Sequence, residues 1–310
     1  MTPQLNIAEL SLEEYVGGDV TGRHAFGQDL FNGLKQFGFI ILRDHGVSTE
    51  LLDEAYALAA EFFSLTDEEK CRYVVGTDGQ RGYTAFGREH AKDADVGDLK
   101  EFWHVGRDGE GLTRPNIWPN KPQAFKDIYS RLYTALERVG DVMLEALAPV
   151  LGEDAKYFSR MTEGGDSILR LLHYPPIPAT ADPRAVRAAA HEDINLITLL
   201  VAANGAGLQL LTREGEWLPV NAPADRIIVD AGDMLARITS NVIPATTHRV
   251  INPEGPNVSR YSMPFFMHAR ADAVLSCLDS CKGKGEEGEA APDITAGAFL
   301  QERLAAIGLA

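Results

Sequence analysis

Residues 168–174 read ILRLLHY, and the same texture of short apolar runs broken by turn residues continues as far as residue 269. The later runs are NLITLLVA (195–202), GLQLL (207–211), EWLPV (216–220), DRIIVDAGDML (225–235), TTHRVI (246–251) and RYSMPFFMHA (260–269). Each is rich in Ile, Val, Leu, Phe or Tyr and is bounded by Gly, Pro, Asn or Asp, as strands are. So many short strands in one stretch point to a sandwich or barrel. Closing the sheet, or doubling it into a jelly roll, deals with the exposed edges that such strands otherwise present. The expected fold is mainly β with helices: a jelly-roll core, an N-terminal α/β region and a long helix packed on the sheet.

Upstream of this core, helical spacing replaces alternation. Leu51, Ala55, Leu58 and Phe62 mark a helix over 49–63, a second runs from His24 to Gln36, and Phe39 to Leu42 reads as a short strand between them. From Arg72 to Pro119 the chain is polar and rich in Gly and Asp, which predicts a long irregular connection. Phe125, Ile128, Leu132, Leu136, Val139, Met143 and Leu147 then form one apolar face of a helix from about Pro122 to Leu151. A last helix, Ala296 to Ile307, opens after Thr295 as candidate N-cap and is expected to pack on the outside. The natural division is 1–120 and 121–310. The one low-complexity stretch, CKGKGEEGEAAP (281–292), reads as a solvated loop.

Composition narrows the function. Acidic residues outnumber basic ones 45 to 29, for a formal net charge of −16, so phosphate backbones and anionic membranes are poor partners. Cys71, Cys277 and Cys281 show no paired CxxC spacing and fit a reducing, cytoplasmic setting. No apolar run approaches the roughly 20 residues of a membrane span, and the N-terminus carries no signal-peptide pattern. The expected partner is a small molecule.

Among eight histidines, position selects two. His191 and Asp193 sit two apart at the edge of a β-like run, where alternation turns both side chains to one face and Glu192 to the other. His248 lies in a later β-like segment, TTHRVI, with room for three strands between it and the first pair. Two imidazoles and a carboxylate on a β scaffold suit non-haem Fe(II), leaving positions open for co-substrate and oxygen. The same ligand types also suit zinc. Beyond His248, Arg260 and Ser262 share one face of the RYSMPFF strand. A guanidinium fork beside a hydroxyl matches a carboxylate. Tyr174, at the end of ILRLLHY, is placed to add a phenolic hydrogen bond to the same anion. Tyr83, Phe102, His173 and Phe266 are candidate walls of a substrate pocket.

With these residues in view, the chain resembles the isopenicillin-N-synthase-like branch of the Fe(II)/2-oxoglutarate-dependent oxygenases. GFIILRDHGV (38–47) is similar to that family's N-terminal signature and GREHAKDADVGDLKEFWHVG (87–106) to its middle segment. GLQLL, DAGDML and HRVINP follow in the family's order. The resemblance implies a double-stranded β-helix core, Fe(II) on His191, Asp193 and His248, and 2-oxoglutarate held by Arg260 and Ser262 with Tyr174. It also implies O2 as co-substrate and oxidation of an unactivated C–H bond by hydroxylation, desaturation or cyclisation, with release of succinate and CO2. Asp193 sets the chain apart from related halogenases, which carry a small residue there. His173, before the tyrosine, departs from the residues common at that position. No substrate-defining residue matches. Three alternatives stay open on sequence: an oxidase whose Arg–Ser pair holds the substrate's own carboxylate without 2-oxoglutarate, a non-catalytic jelly roll that keeps a metal, and a zinc hydrolase. The last lacks a readable general base.

Overall fold

The structure, a computed structural model, describes residues 7–75, 80–89, 96–109, 114–201, 207–285 and 291–306. Residues 90–95 of the middle segment, Ala202, residues 286–290 of the low-complexity loop and Ile307 lie outside the described residues. The first half contains β1 (Glu9–Ser11), α1 (Leu12–Val16), α2 (Val20–Phe37), β2 (Phe39–Arg43), α3 (Thr49–Phe63) and α4 (Asp67–Cys71). There follow β3 (Gly82–Thr84), β4 (Glu101–Gly106), α5 (Phe125–Leu147) with a 3-10 turn behind it, and α6 (Tyr157–Thr162). The second half adds β5 (Ile168–Tyr174), β6 (Ala188–His191), β7 (Ile197–Val201), β8 (Leu208–Leu211), β9 (Trp217–Pro219) and β10 (Ile227–Ala231). The chain closes with α7 (Asp233–Ile238), β11 (His248–Val250), β12 (Arg260–Met267), β13 (Val274–Leu275), β14 (Ile294–Thr295) and α8 (Ala296–Ala306).

All seven expected runs contain a strand. They pair into an eight-stranded sheet of order β1-β2-β10-β7-β12-β5-β4-β3 and a four-stranded sheet of order β6-β11-β8-β9. Strands from the first 120 residues flank those of the second segment at both edges of the larger sheet. Period-2 alternation divides the strands' side chains between two cores. Leu171, Leu199 and Phe265 face α3 and α5 together with Phe62, Trp103 and Leu132, in a core that Val229 joins. Leu172, Tyr174, Phe102 and Ile228 instead meet Leu210 and Val250 of the smaller sheet, inside the jelly roll. Every residue of the predicted apolar face of α5 is buried.

Three expectations need correction. The segment 72–119 is not one irregular connection, because it carries β3 and β4, and β4 is buried along its whole length. Its charged residues disguised it: Glu101 is buried with Lys70 Nζ at 2.8 Å and His173 Nδ1 at 2.7 Å. In DRIIVDAGDML only the first part is a strand, for the chain turns at Gly232 into α7. A Cβ at Gly232 would lie 2.3 Å from the Asn195 carbonyl oxygen, so only glycine fits this close approach. Finally, α8 keeps its Thr295 cap, with Ala298 N–H donating to Oγ1 at 3.3 Å, but it lies over a cavity and not on a plain outer surface. Among the described residues no helix is long and apolar enough to cross a membrane.

Candidate active site

His191 is the last residue of β6, and Asp193 lies in the turn beyond it, so strand alternation does not place the carboxylate. The turn does, and the N-terminus of α7 fixes that turn. Gly232 N–H donates to Leu196 O at 3.0 Å, Asp233 N–H to Asp193 O at 2.7 Å and Met234 N–H to Asn195 O at 3.0 Å. His248 opens β11 directly opposite His191 in the smaller sheet. Four strands, β7 to β10, intervene in sequence where three were expected. A register shift between His248 and Val250 accompanies this pairing.

The three side chains converge. Ligand atoms of His191, Asp193 and His248 lie within 4.8 Å of one another, with Asp193 Oδ1 3.8 Å from His191 Nε2 and 3.9 Å from His248 Nε2. The distal ring nitrogens are already engaged: His191 Nδ1 sits 2.7 Å from Ala189 O and His248 Nδ1 3.1 Å from Thr246 O. Backbone carbonyls accept only, so each Nδ1 carries the proton and each Nε2 offers its lone pair. Thr198 Oγ1 donates to Asp193 Oδ2 and accepts from Asn195 Nδ2 at 2.8 Å. Burial and the neighbouring His248 push the His191 pKa down to about 4, which keeps its imidazole neutral. Phe39 meets His248 edge-on, with ring centroids 5.7 Å apart. Two imidazoles and a carboxylate, with outer partners that fix their orientation, fit a divalent iron ion.

Arg260, Ser262 and Tyr174 are all buried. Arg260 pairs across from Tyr174 and Ser262 from Leu172, and the Arg260 guanidinium lies 5.0 Å from the centre of the Tyr174 ring. The structure therefore brings the three anion-binding candidates together at the start of β12. Further along the same face, Phe266 and His268 line a cavity of about 380 Å³ that also reaches His191 and Asp193.

The cavity contains residues that motif spacing did not reveal. Arg170 donates to His104 Nε2 at 2.6 Å and to Glu89 Oε1 at 3.0 Å, and its guanidinium lies 4.2 Å from the ring centre of Phe102 and 5.2 Å from that of Phe266. Lys100 Nζ is 2.7 Å from both Glu89 and Asp98. Burial alone would raise the Glu89 pKa, but Arg170 and Lys100 hold the carboxyl well below its usual range. Asp98 in turn accepts from Ala189 N–H at 3.0 Å and so ties this wall to β6. Of the four aromatic wall candidates, Phe266 lines the cavity and Phe102 backs Arg170. Tyr83 and His173 do not reach it. Tyr83 packs on Phe62 and hydrogen-bonds Glu101, while His173 stacks on Tyr261 with centroids 4.8 Å apart, both on the helix-facing side of the sheet. A local signal existed for Arg170, a lone charge within ILRLLHY. Lys100 and Glu89 sit in polar sequence, where burial leaves no mark.

Residues 165–269 match the 2OG-Fe(II) oxygenase superfamily, and residues 5–121 match the N-terminal family described as non-haem dioxygenase in morphine synthesis. A 2-oxoglutarate-Fe(II) type oxidoreductase of Emericella nidulans is 30% identical over 312 residues, covering 94% of this chain and 89% of its own. The chain belongs to the 2OG-Fe(II) oxygenase superfamily. A putative 2OG-Fe(II) oxygenase family protein of Caulobacter crescentus has a similar structure, with 41% identity, a TM-score of 0.85 and coverage of 96% of this chain and 98% of that one. A full-length Neurospora crassa protein, solved in complex with alpha-KG and thymine, is 28% identical with a TM-score of 0.88, covering 99% of this chain and 98% of that one. The protein is thus an Fe(II)- and 2-oxoglutarate-dependent dioxygenase that uses O2, with the expected jelly-roll core. These relatives set aside the three alternatives left open by sequence: the oxidase without 2-oxoglutarate, the non-catalytic metal-binding jelly roll and the zinc hydrolase.

Proposed function

We propose that His191 Nε2, Asp193 Oδ1 and His248 Nε2 hold the iron, and that Arg260 and Ser262, with Tyr174 beside them, hold the distal carboxylate of 2-oxoglutarate. One observation carries the reading of the metal site. Both Nδ1 atoms are engaged by backbone carbonyls, and both Nε2 atoms face the carboxylate oxygen that Thr198 does not hold. Iron bound there supplies the oxidation of an unactivated C–H bond, coupled to conversion of 2-oxoglutarate to succinate and CO2.

The chain's own residues supply position and environment. Thr198 and α7 hold Asp193 in place, so the ligand set is organised before substrate arrives. Arg170, braced by Glu89 and Phe102, presents a fixed cationic edge to the cavity, and Phe266 presents an aromatic face. Leu300 and Leu304 of α8 cover the cavity and limit water beside the reacting bond. This wall suits a small polar organic molecule, in keeping with the thymine held by the Neurospora crassa relative. The net charge of −16 disfavours nucleic acid and anionic lipid as partners and suits a cytoplasmic small-molecule enzyme.

The test is a metabolite screen for compounds that couple oxygen uptake to succinate formation, repeated on two variants. His191→Ala is expected to abolish both saturable Fe(II) binding and succinate formation. Arg260→Gln is expected to raise the 2-oxoglutarate concentration needed by about a hundredfold, the loss of a charge-assisted bidentate contact. Unimpaired turnover in His191→Ala removes the metal assignment, and unchanged 2-oxoglutarate dependence in Arg260→Gln removes the anion assignment.

A further inference from the structure

A second arginine, Arg187, stands at the anion end of the site. It precedes β6 and is only 4% exposed. Its guanidinium lies 5.9 Å from the centre of the Tyr174 ring, the same ring that Arg260 overlies at 5.0 Å. Arg187 Nη2 donates to the Val258 carbonyl at 2.8 Å, two residues before Arg260, while its Nε is buried with no hydrogen-bond partner. The like charge of Arg260 acts on it, and burial followed by that charge lowers its pKa.

A buried guanidinium needs an anion or a full set of acceptors to offset its lost hydration. Arg187 has one carbonyl and a like charge beside it. Two buried guanidiniums beside one tyrosine ring concentrate positive charge there, and a carboxylate with its two oxygens and four lone-pair sites matches paired forks from two directions. We propose that Arg187 is a second anchor for the distal carboxylate of 2-oxoglutarate, so that this chain grips its co-substrate between two guanidiniums. The inference rests on the reading that Arg260 and Ser262 face that carboxylate. It makes the site selective for a dicarboxylic keto acid over a monocarboxylic one. A purely structural Arg187, tying down the segment before β12 through Val258, gives no such selectivity.

The experiment is calorimetric titration of the Mn(II)-loaded 310-residue protein with 2-oxoglutarate and with 2-oxopentanoate, which keeps the keto-acid head and lacks the distal carboxylate. Arg187→Gln is expected to weaken 2-oxoglutarate about tenfold or more and to leave 2-oxopentanoate within about twofold. Arg187→Lys, which keeps the charge, is expected to lose less. Equal weakening of both keto acids, or of neither, overturns the proposal. Arg260→Gln in parallel separates the two levels: if it alone loses 2-oxoglutarate, Arg187 is not an anchor, and if it too binds as wild type, the reading of the anion site itself fails. Should Arg187→Gln not fold, the ratio of the two affinities in Arg187→Lys decides, and an unchanged ratio overturns the proposal.

Discussion

Thr198 is a polar residue inside the apolar run LITLLV, and its hydroxyl has two partners, Asp193 and Asn195. On the metal assignment proposed above, that hydroxyl serves Asp193, because a carboxylate that swings freely loses conformational entropy each time it binds metal. Thr198→Val keeps the shape of the side chain and removes the donor. Metal titration of this variant is expected to show about tenfold weaker Fe(II) binding, as for other outer partners of metal ligands, with a loss of about 1 to 3 kcal/mol in unfolding free energy because the buried Asn195 amide loses its acceptor. Binding as tight as wild type shows that the turn alone orients Asp193.

At the scale of elements, α5 carries an unusual stripe. Glu137, Asp141 and Glu145 stand one helical turn apart, Glu137 paired with Arg107 at 2.5 Å and Glu145 with Lys156. Burial, and then repulsion by Glu137 and Glu145, pushes the Asp141 pKa up to about 6 from the ordinary 3.8. The folded state therefore holds the Asp141 proton more tightly than the unfolded chain, and the contribution of this group falls as pH rises from about 4 to about 6. Asp141→Asn removes the penalty. Denaturant unfolding is expected to show a gain of about 1 kcal/mol at pH 7, discounted for the partial exposure of the group, and no gain near pH 4. A gain that persists at pH 4 assigns the effect to something other than the charge. The same helix shows how much periodicity can reveal: the apolar stripe read from spacing is buried, but Tyr129, Tyr133 and Leu144 are buried beside it, and the acidic stripe acquires an energy only from what packs against it.

For the whole molecule, β12 joins two parts of the interior. Its start, with Arg260 and Ser262, pairs with the end of β5 at Tyr174, while Phe266 near its far end and His268 just beyond it line the cavity beside α8. Arg303 of α8 lies 3.1 Å from Asp233 Oδ2, next to the turn that holds Asp193. Arg303→Ala is expected to speed hydrogen exchange across residues 296–306 about three- to fivefold, the value of one partly exposed ion pair, while 2-oxoglutarate affinity stays unchanged. Unaltered exchange means that the apolar contacts of α8 hold it alone. A fall in 2-oxoglutarate affinity means that the two parts are not independent.

The strand texture of 168–269, the apolar face of α5 and the candidates His191, Asp193, His248, Arg260 and Ser262 are legible in residue order, because alternation, helical spacing and ligand chemistry are local properties. Tertiary structure decided the rest. β4 is legible as a strand only in the fold, where Lys70 and His173 compensate its buried Glu101. Asp193 reached the site through a turn clamped by α7, from a segment close to forty residues downstream, and not through alternation. Arg170 and Arg187 gained meaning from neighbours on other strands. Residue order carries the types of side chain that can hold a metal or an anion. Which of them are buried beside an unlike or a like charge depends on long-range packing, and that sets what the site recognises.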